Sequence, residues 1–316
     1  MNETFDGLDI AVIVPCHNEE AAIEKVISDI RQALPSSVIY VYDNRSTDRT
    51  ADVARAAGAV VRKEENKGKG NVVRRAFSDI EADVYVLIDG DDTYDAFAAP
   101  RMIEALLDGP YDHVLGVRRE TTSTSYRPGH ALGNRGFNLL VGRLFGRRVT
   151  DMLSGYRVFS RRFVKSFPAV SREFEIETEL TVHAVSLRVP QIEIEVDFKD
   201  RPEGSESKLS TYRDGFKILA LIFNLARHER PLLFHGIVAA VLFVIAVLLG
   251  IPVIADFVST GLVPKLPTAV LASSLVILSF LTLFLGFVLD GIAKARRESA
   301  RLFYLTHSPA MRADKA

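Results

Sequence analysis

Val84-Tyr85-Val86-Leu87-Ile88-Asp89-Gly90-Asp91-Asp92 is the stretch that decides the fold. An unbroken apolar run, rich in β-branched residues, leads straight into three carboxylates. Apolar at every position, the run reads as a strand buried in a parallel sheet. Such strands open at their carboxyl ends into a crevice. Carboxylates packed that closely repel one another, and a hard divalent cation with a phosphate relieves the repulsion. Taken alone, the stretch could equally be an acidic, solvated junction between strand and loop.

The flanking sequence repeats the pattern. Ile10 to Val14 reads as a buried strand, followed by Asn18-Glu19-Glu20 and a helix with Ile23, Val26, Ile27 and Ile30 on one face. Val38 to Tyr42 is a second strand ending at Asp43-Asn44, and Ser46-Thr47-Asp48 is a helix start. Ala59 to Val61 is a third strand, and Gly70 to Ile80 a helix. Strand and helix alternate to about residue 205, which predicts an α/β fold with a mostly parallel sheet. Polar clusters at three strand ends, Val14 to Glu20, Asp43 to Asp48 and Asp89 to Asp92, should converge on one crevice. There Asp43 is suited to hydrogen-bond a nucleobase or ribose, and Asp91 to hold a metal bridging a diphosphate. Lys67-Gly68-Lys69-Gly70 precedes a helix and could approach phosphates, although an ordinary basic loop reads the same way.

The bulk properties narrow the field. A chain of 316 residues suggests two parts, and a net charge of −1 provides no basic field for nucleic acid. The lone Cys16 excludes an intramolecular disulfide and reads as a small buried filler at a strand end. Met1 to Asp9 is acidic and the apolar run behind it is too short for a signal peptide, so the first part is expected in the cytoplasm. Mean hydropathy is +0.13, high for a soluble enzyme, and the excess lies near the C-terminus. Leu232 to Ala255 and Leu266 to Leu289 each exceed the roughly 20 residues that cross a bilayer as a helix. Asp256 to Lys265 joins them, and Arg227, His228 and Arg230 before the pair and Lys294, Arg296, Arg297 and Arg301 after it place both outer ends in the cytoplasm. Between the two parts, Tyr212 to Arg227 has the apolar spacing and positive charge of a helix lying in the membrane interface; packing on the first domain is the equal alternative.

The order of motifs resembles the inverting family 2 glycosyltransferases with the GT-A fold. The matching pieces are Ile13 to Glu20, Tyr42 to Asp48, Asn66 to Asn71 and Ile88 to Asp92, and the likeness covers nearly the first 230 residues. It implies a nucleotide-sugar donor, with Asp43 and the Pro15, His17, Asn18 and Glu19 segment on the nucleoside, Lys69 and Gly90 beside it, and Asp89 and Asp91 as a motif for Mg²⁺ or Mn²⁺. Uridine is favoured over guanosine. Within the family, the chain is most similar to polyprenyl- or dolichyl-phosphate sugar synthases. Gly116-Val117-Arg118, Gly133 to Asn138, Asp151 to Arg157 and Arg201 to Leu209 resemble their phosphate-binding segments. That likeness implies Arg118 and Arg135 as catalytic cations, and Ser154, Arg157, Arg201, Ser205, Ser207 and Lys208 as further acceptor or phosphate contacts. Guanidinium forks suit phosphate oxygens, and a lipid phosphate is already an anion that needs orientation more than a base.

The expected organisation is a GT-A domain over 1–208, a juxtamembrane helix over 209–230, a transmembrane hairpin over 231–290 and a cytoplasmic tail over 291–316. The expected partners are a nucleotide-sugar, a polyprenyl or dolichyl phosphate and the bilayer, with no nucleic acid, and with homo-oligomer formation left open. Glu177 and Glu179 suit a helix start, with orientation of the donor sugar as the alternative, and His183 is expected to pack on its helix. The Glu-Asp pair of many relatives is missing there. A processive polysaccharide synthase would need a Gln-x-x-Arg-Trp motif, and the chain has no tryptophan. Transfer to another saccharide or lipid, or a nucleotide-sugar-binding subunit without catalysis, are the remaining alternatives; the last predicts a broken acidic motif.

Overall fold

The computed structural model describes residues 5, 7–120, 150–169, 173, 175–200, 223 and 227–310. The chain forms two compact units, Met1–Gly215 with Ser299–Ala316, and Phe216–Glu298.

The first unit is built on a seven-stranded sheet in the order β3-β2-β1-β4-β6-β5-β7. The strands are β1 (Ile10–Cys16), β2 (Val38–Asp43), β3 (Val60–Lys63), β4 (Val84–Leu87), β5 (His113–Glu120), β6 (Arg157–Ser160) and β7 (Gln191–Phe198). As expected, β3, β2, β1 and β4 are parallel, and so are β5 and β7. β6 runs against both neighbours, with Leu87 opposite Arg157 and Val84 opposite Ser160. It therefore presents its first residue where β4 ends. The chain steps outward from β1 to β3 and returns on the other side of β1 with β4. That reversal opens a crevice at the carboxyl ends of β1 and β4.

Both faces of the sheet are covered, which is why the strands are apolar at successive positions. Val12, Val14, Val41, Val86 and Ile88 share one core with helices α1 (Ile23–Ala33), α2 (Thr50–Ala56) and α4 (Ala99–Asp108). Ala11, Ile13, Tyr42, Tyr85 and Leu87, the alternate residues, share the other with α3 (Lys69–Asp79), α5 (Arg161–Ser166) and α6 (Ile176–Ser186). The expected α1 face of Ile23, Val26, Ile27 and Ile30 is the buried one. The helix signalled by Ser46-Thr47-Asp48 begins at Thr50, whose N–H donates to Asp48 Oδ1 at 3.0 Å.

The second unit contains α7 (Pro231–Thr260) and most of α8 (Leu266–Leu305). Both are long and apolar enough to cross a membrane, with 18-residue stretches of mean hydropathy 3.1 and 2.4. Only 17% and 11% of those stretches is buried, so their apolar surface faces outward. They touch one another: the Ser279 hydroxyl donates to the Ala239 carbonyl at 2.8 Å. Both helices outrun their expected bounds. α7 continues through the expected loop to Gly261, which ends it with a left-handed φ of +72°. α8 runs on to Leu305 because Gly291 to Leu305 holds mostly strong helix formers and no proline. The expected free tail is thus partly helix, and it belongs to the first unit from Ser299 onward. The expected interface helix, Tyr212 to Arg227, lies almost wholly outside the described residues.

Candidate active site

Three loops leave the carboxyl ends of β1, β2 and β4, and each contains one non-glycine residue with left-handed backbone: Asn18 (φ +55°), Arg45 (φ +61°) and Asp92 (φ +57°). Such residues are uncommon and need over-determined surroundings. Here the loops are cross-braced. Asn18 Oδ1 accepts the Thr47 N–H at 2.8 Å, the Asn18 N–H donates to Ser46 Oγ at 3.0 Å, and the Glu19 N–H donates to Thr50 Oγ1 at 2.9 Å. Asn44 ties in the next loop, donating to the Glu64 and Asn66 carbonyls and accepting the Gly68 N–H at 2.7 Å. The side chain of Asn18 therefore braces the loop, although a nucleoside contact was expected of it. Asp43 is buried opposite Cys16 and accepts the Ser46 N–H at 3.2 Å. It lines a cleft of about 300 Å³ with Arg45, Ser46, Thr47, Lys63, Glu64 and Glu65. A larger cleft of about 480 Å³, between α1 and α2, is lined by Asn18, Glu19, Glu20, Asp48 and Arg49; it contains none of the Asp89 to Asp92 carboxylates. Pro15 and His17 are half-buried beside the first loop.

The acidic motif sits where β1 and β4 separate. Gly90 packs so tightly that a Cβ there would lie 2.5 Å from Cys16 Sγ, which accounts for a glycine between two aspartates and for a small residue at position 16. Asp91 is buried, and its Oδ1 accepts the Thr93 hydroxyl at 2.6 Å and the Thr93 N–H at 3.3 Å. Asp92 pairs with Lys199 at 2.8 Å. Asp89 pairs with Lys69 at 2.5 Å, and the same ammonium meets Glu177 Oε1 at 2.6 Å. Burial alone would lower the basicity of Lys69, but the two carboxylates outweigh it and raise its pKa above the lysine range. One ammonium is shared between the buried Glu177 and the partly exposed Asp89. Burial accordingly leaves Glu177 above the usual carboxylate range despite Lys69.

Among the described residues no three His, Cys, Asp or Glu side chains gather around a common centre. Asp89 and Asp91 on one short loop nevertheless fit a hard ion of the Mg²⁺ or Mn²⁺ kind, which takes one or two carboxylates and completes its shell with substrate phosphates and water.

The expected acceptor residues divide into three groups. Arg118 lies at the crevice side of β5 and forks onto Asp151, with Nε to Oδ2 and Nη2 to Oδ1 both at 2.7 Å, over the Phe198 ring. Burial opposes its charge, but Tyr94 and Asp151 more than compensate and raise its pKa. Ser154 and Arg157 are fully buried. The Ser154 hydroxyl donates to the Gly116 carbonyl, and Arg157 donates to the Ser154 and Met152 carbonyls and to Thr181 Oγ1. These two residues therefore stitch β5, β6 and α6 together, and an external phosphate cannot reach them. A guanidinium at the start of a buried strand looks like a ligand in sequence, but here it satisfies carbonyls that the bend before β6 leaves unpaired. Arg135, Arg201, Ser205, Ser207 and Lys208 lie outside the described residues.

Tyr94 joins the site without having been named, Asp151 and Gly155 join it from within the Asp151 to Arg157 segment, and Glu177, read first as a helix start with donor-sugar orientation as the alternative, also lies there. A Cβ on Gly155 would sit 2.3 Å from Asp89 Oδ2 and 2.8 Å from Lys69 Nζ. The Gly155 N–H donates to the Tyr94 hydroxyl at 2.9 Å. The available signal for Glu177 was its place between Ile176 and Leu180, both buried on α6.

A strand-end crevice with an acidic motif on a GT-A sheet defines a glycosyltransferase. The comparisons agree. Residues 11–167 match the model of glycosyl transferase family 2. Glycosyltransferase AglJ of Haloferax volcanii is 35% identical over 233 residues, spanning 72% of this chain and 75% of that one. A dolichyl-phosphate hexose transferase of the same organism is 30% identical, over 72% of this chain and 97% of its own. Glucosyl-3-phosphoglycerate synthase from Mycobacterium tuberculosis, solved with Mn²⁺, uridine-diphosphate and phosphoglyceric acid, superposes with a TM-score of 0.57 over 70% of this chain and 78% of that one. At 23% identity that likeness is one of fold. The chain belongs to glycosyl transferase family 2.

Proposed function

We propose that the protein transfers a sugar from a uridine-diphosphate sugar to a polyprenyl or dolichyl phosphate, with inversion, at the cytoplasmic face of a membrane that it crosses twice. The observation that carries this reading is the union on one chain of a family 2 crevice and two apolar helices with outward-facing surfaces. The similarity to a dolichyl-phosphate hexose transferase supports the acceptor, and the Mn²⁺ and uridine-diphosphate held by a protein of like fold support the donor and the metal.

The nucleoside would occupy the cleft beside Asp43. Asp91, with Asp89, would hold Mg²⁺ or Mn²⁺, which when bound supplies positive charge against the donor diphosphate. The acceptor phosphate is an anion at neutral pH, so the site needs no strong base. Its oxygen attacks the anomeric carbon from the face opposite the diphosphate; the carbon–oxygen bond to the diphosphate breaks, and the nucleotide leaves with the electron pair. Arg118, Arg135, Arg201, Ser205, Ser207 and Lys208 would orient the two anions. Arg118 must then share or exchange its Asp151 fork for a phosphate. An interface helix over 209–230 would keep the crevice at the headgroup level.

The test is incubation of detergent-solubilised protein with Mn²⁺ and labelled UDP-sugars, with and without polyprenyl phosphate. Label is expected in the lipid phase only when the phosphate is present. Equal label in both arms, or label on a saccharide primer, would favour a different acceptor.

A further inference from the structure

The Lys69 ammonium is nearly enclosed: its side chain is 7% exposed and that of Glu177 is 8%, whereas that of Asp89 keeps 26%. Two of the three ammonium donors are therefore engaged by carboxylates, one inside the protein and one at the crevice. The three groups come from the first residue of α3, the loop after β4 and the first turn of α6. The remaining wall is Gly155, whose missing side chain is what allows the backbone to press on the pair. Gly155 is itself held by the Tyr94 hydroxyl, which lies 3.3 Å from Ser154 Oγ. The Glu177 side chain is almost wholly enclosed, and a buried carboxylate costs stability unless it is paired.

We propose that Glu177 is a positioning residue for sugar transfer: through Lys69, and against the flat seat of Gly155, it fixes the Asp89 carboxylate in the crevice. This rests on the glycosyltransferase reading of the site. Asp89 meets Lys69 through Oδ1, and among the described residues Oδ2 has no hydrogen bond. The clamp thus holds Oδ1 on Lys69 and Oδ2 against Gly155, and about a quarter of the side chain stays exposed at the crevice. A bare Lys69–Asp89 pair would swing with the flexible lysine stem; a second anion behind the ammonium removes that freedom. The arrangement also explains a serine–glycine step before β6: the serine anchors the bend and the glycine leaves room for the clamp.

The test compares Glu177→Gln, Lys69→Met, the double variant and Gly155→Ala in the full-length protein. The readouts are binding of Mn²⁺ with UDP, followed by Mn²⁺ electron paramagnetic resonance and calorimetry, turnover with saturating UDP-glucose, and the crystallographic position of Asp89. UDP-glucose hydrolysis and Mn²⁺–UDP binding need no lipid, so a wrong acceptor would leave them intact while abolishing only lipid product. Glu177→Gln is expected to bind Mn²⁺–UDP within about 3-fold of the wild type, to lose roughly 30- to 100-fold in kcat, and to show Asp89 displaced. Adding it to Lys69→Met should cost nothing further, because its effect passes through the ammonium. Gly155→Ala should lower kcat by a similar factor with melting temperature retained. Multiplicative losses in the double variant, an unmoved Asp89, or loss of Mn²⁺–UDP binding as large as the loss of kcat in Glu177→Gln would overturn the proposal.

Discussion

Two ionic clusters lie at opposite ends of the interior strands of the same sheet, and they differ in closure. At the crevice end, Lys69 joins Glu177 to an Asp89 that remains about a quarter exposed. At the far end, Asp112, immediately before β5, is completely buried. Its Oδ1 accepts from Ser160 Oγ at 2.7 Å and Arg162 Nε at 2.5 Å, and its Oδ2 from Arg162 Nη2 at 2.5 Å and the Tyr304 hydroxyl at 2.6 Å. The Arg162 guanidinium also stacks 4.6 Å over the Tyr304 ring. Every strong acceptor of the far cluster is filled, which makes it a device for holding the last turns of α8 on the sheet. The crevice cluster leaves carboxylate capacity open toward a ligand. Charge buried in a closed network maintains the fold, whereas charge buried in an open one is available for chemistry.

That contrast can be broken by substitution. Asp91→Ala should have the largest effect, a loss of at least about 1,000-fold in transfer with little change in melting temperature; near-normal turnover would refute the metal assignment. Asp112→Ala should do the reverse. It leaves Arg162 and Tyr304 without their anion and should cost about 3–5 kcal/mol in denaturant unfolding, while the protein that still folds keeps its kcat. Tyr304→Phe removes one bond of the set and should cost about 1 kcal/mol.

A further prediction concerns acid. Burial, with Arg157 nearby, lowers His113 to about 3, and burial lowers His183 to about 4. Below the ordinary histidine value of about 6.5 the unfolded chain therefore binds more protons than the folded one. Stability should be full above about pH 6.5 and fall as the pH drops toward 4, by up to about 1.4 kcal/mol per pH unit for each histidine. Melting curves across that range check it, and His183→Gln should flatten the slope. Arg135→Ala should raise KM for the lipid phosphate about 10-fold and leave KM for the donor nearly unchanged. The opposite split would remove Arg135 from the acceptor side.

The fold was legible because its signal is periodic. Apolar runs at Ile10, Val38 and Val84 gave the parallel strands, and their polar ends gave the crevice. What escaped depends on contacts across long stretches of chain. Lys69 and Glu177 are 108 positions apart, and Asp112 and Tyr304 are 192 apart. No local pattern announces such pairs. Lys69 was legible as a crevice cation, but not its attachment to two carboxylates. Arg157 and Ser154 misled for the opposite reason: a motif of polar residues next to a strand looks like a site, and only three-dimensional burial shows those side chains bonded to the protein's own carbonyls. Helix ends at Thr260 and Leu305 were missed because hydropathy marks where a helix is apolar, not where its backbone stops.

The central claim, that the open cluster serves transfer of a sugar to a phosphate in the membrane, is tested most directly by mass spectrometry of the products. Purified protein in liposomes would be given UDP-glucose, Mn²⁺ and either polyprenyl phosphate or the dephosphorylated polyprenol. The account predicts one added hexose on the lipid phosphate and stoichiometric UDP, with no product from the alcohol. Release of UMP, or hexose on the polyprenol, would contradict it.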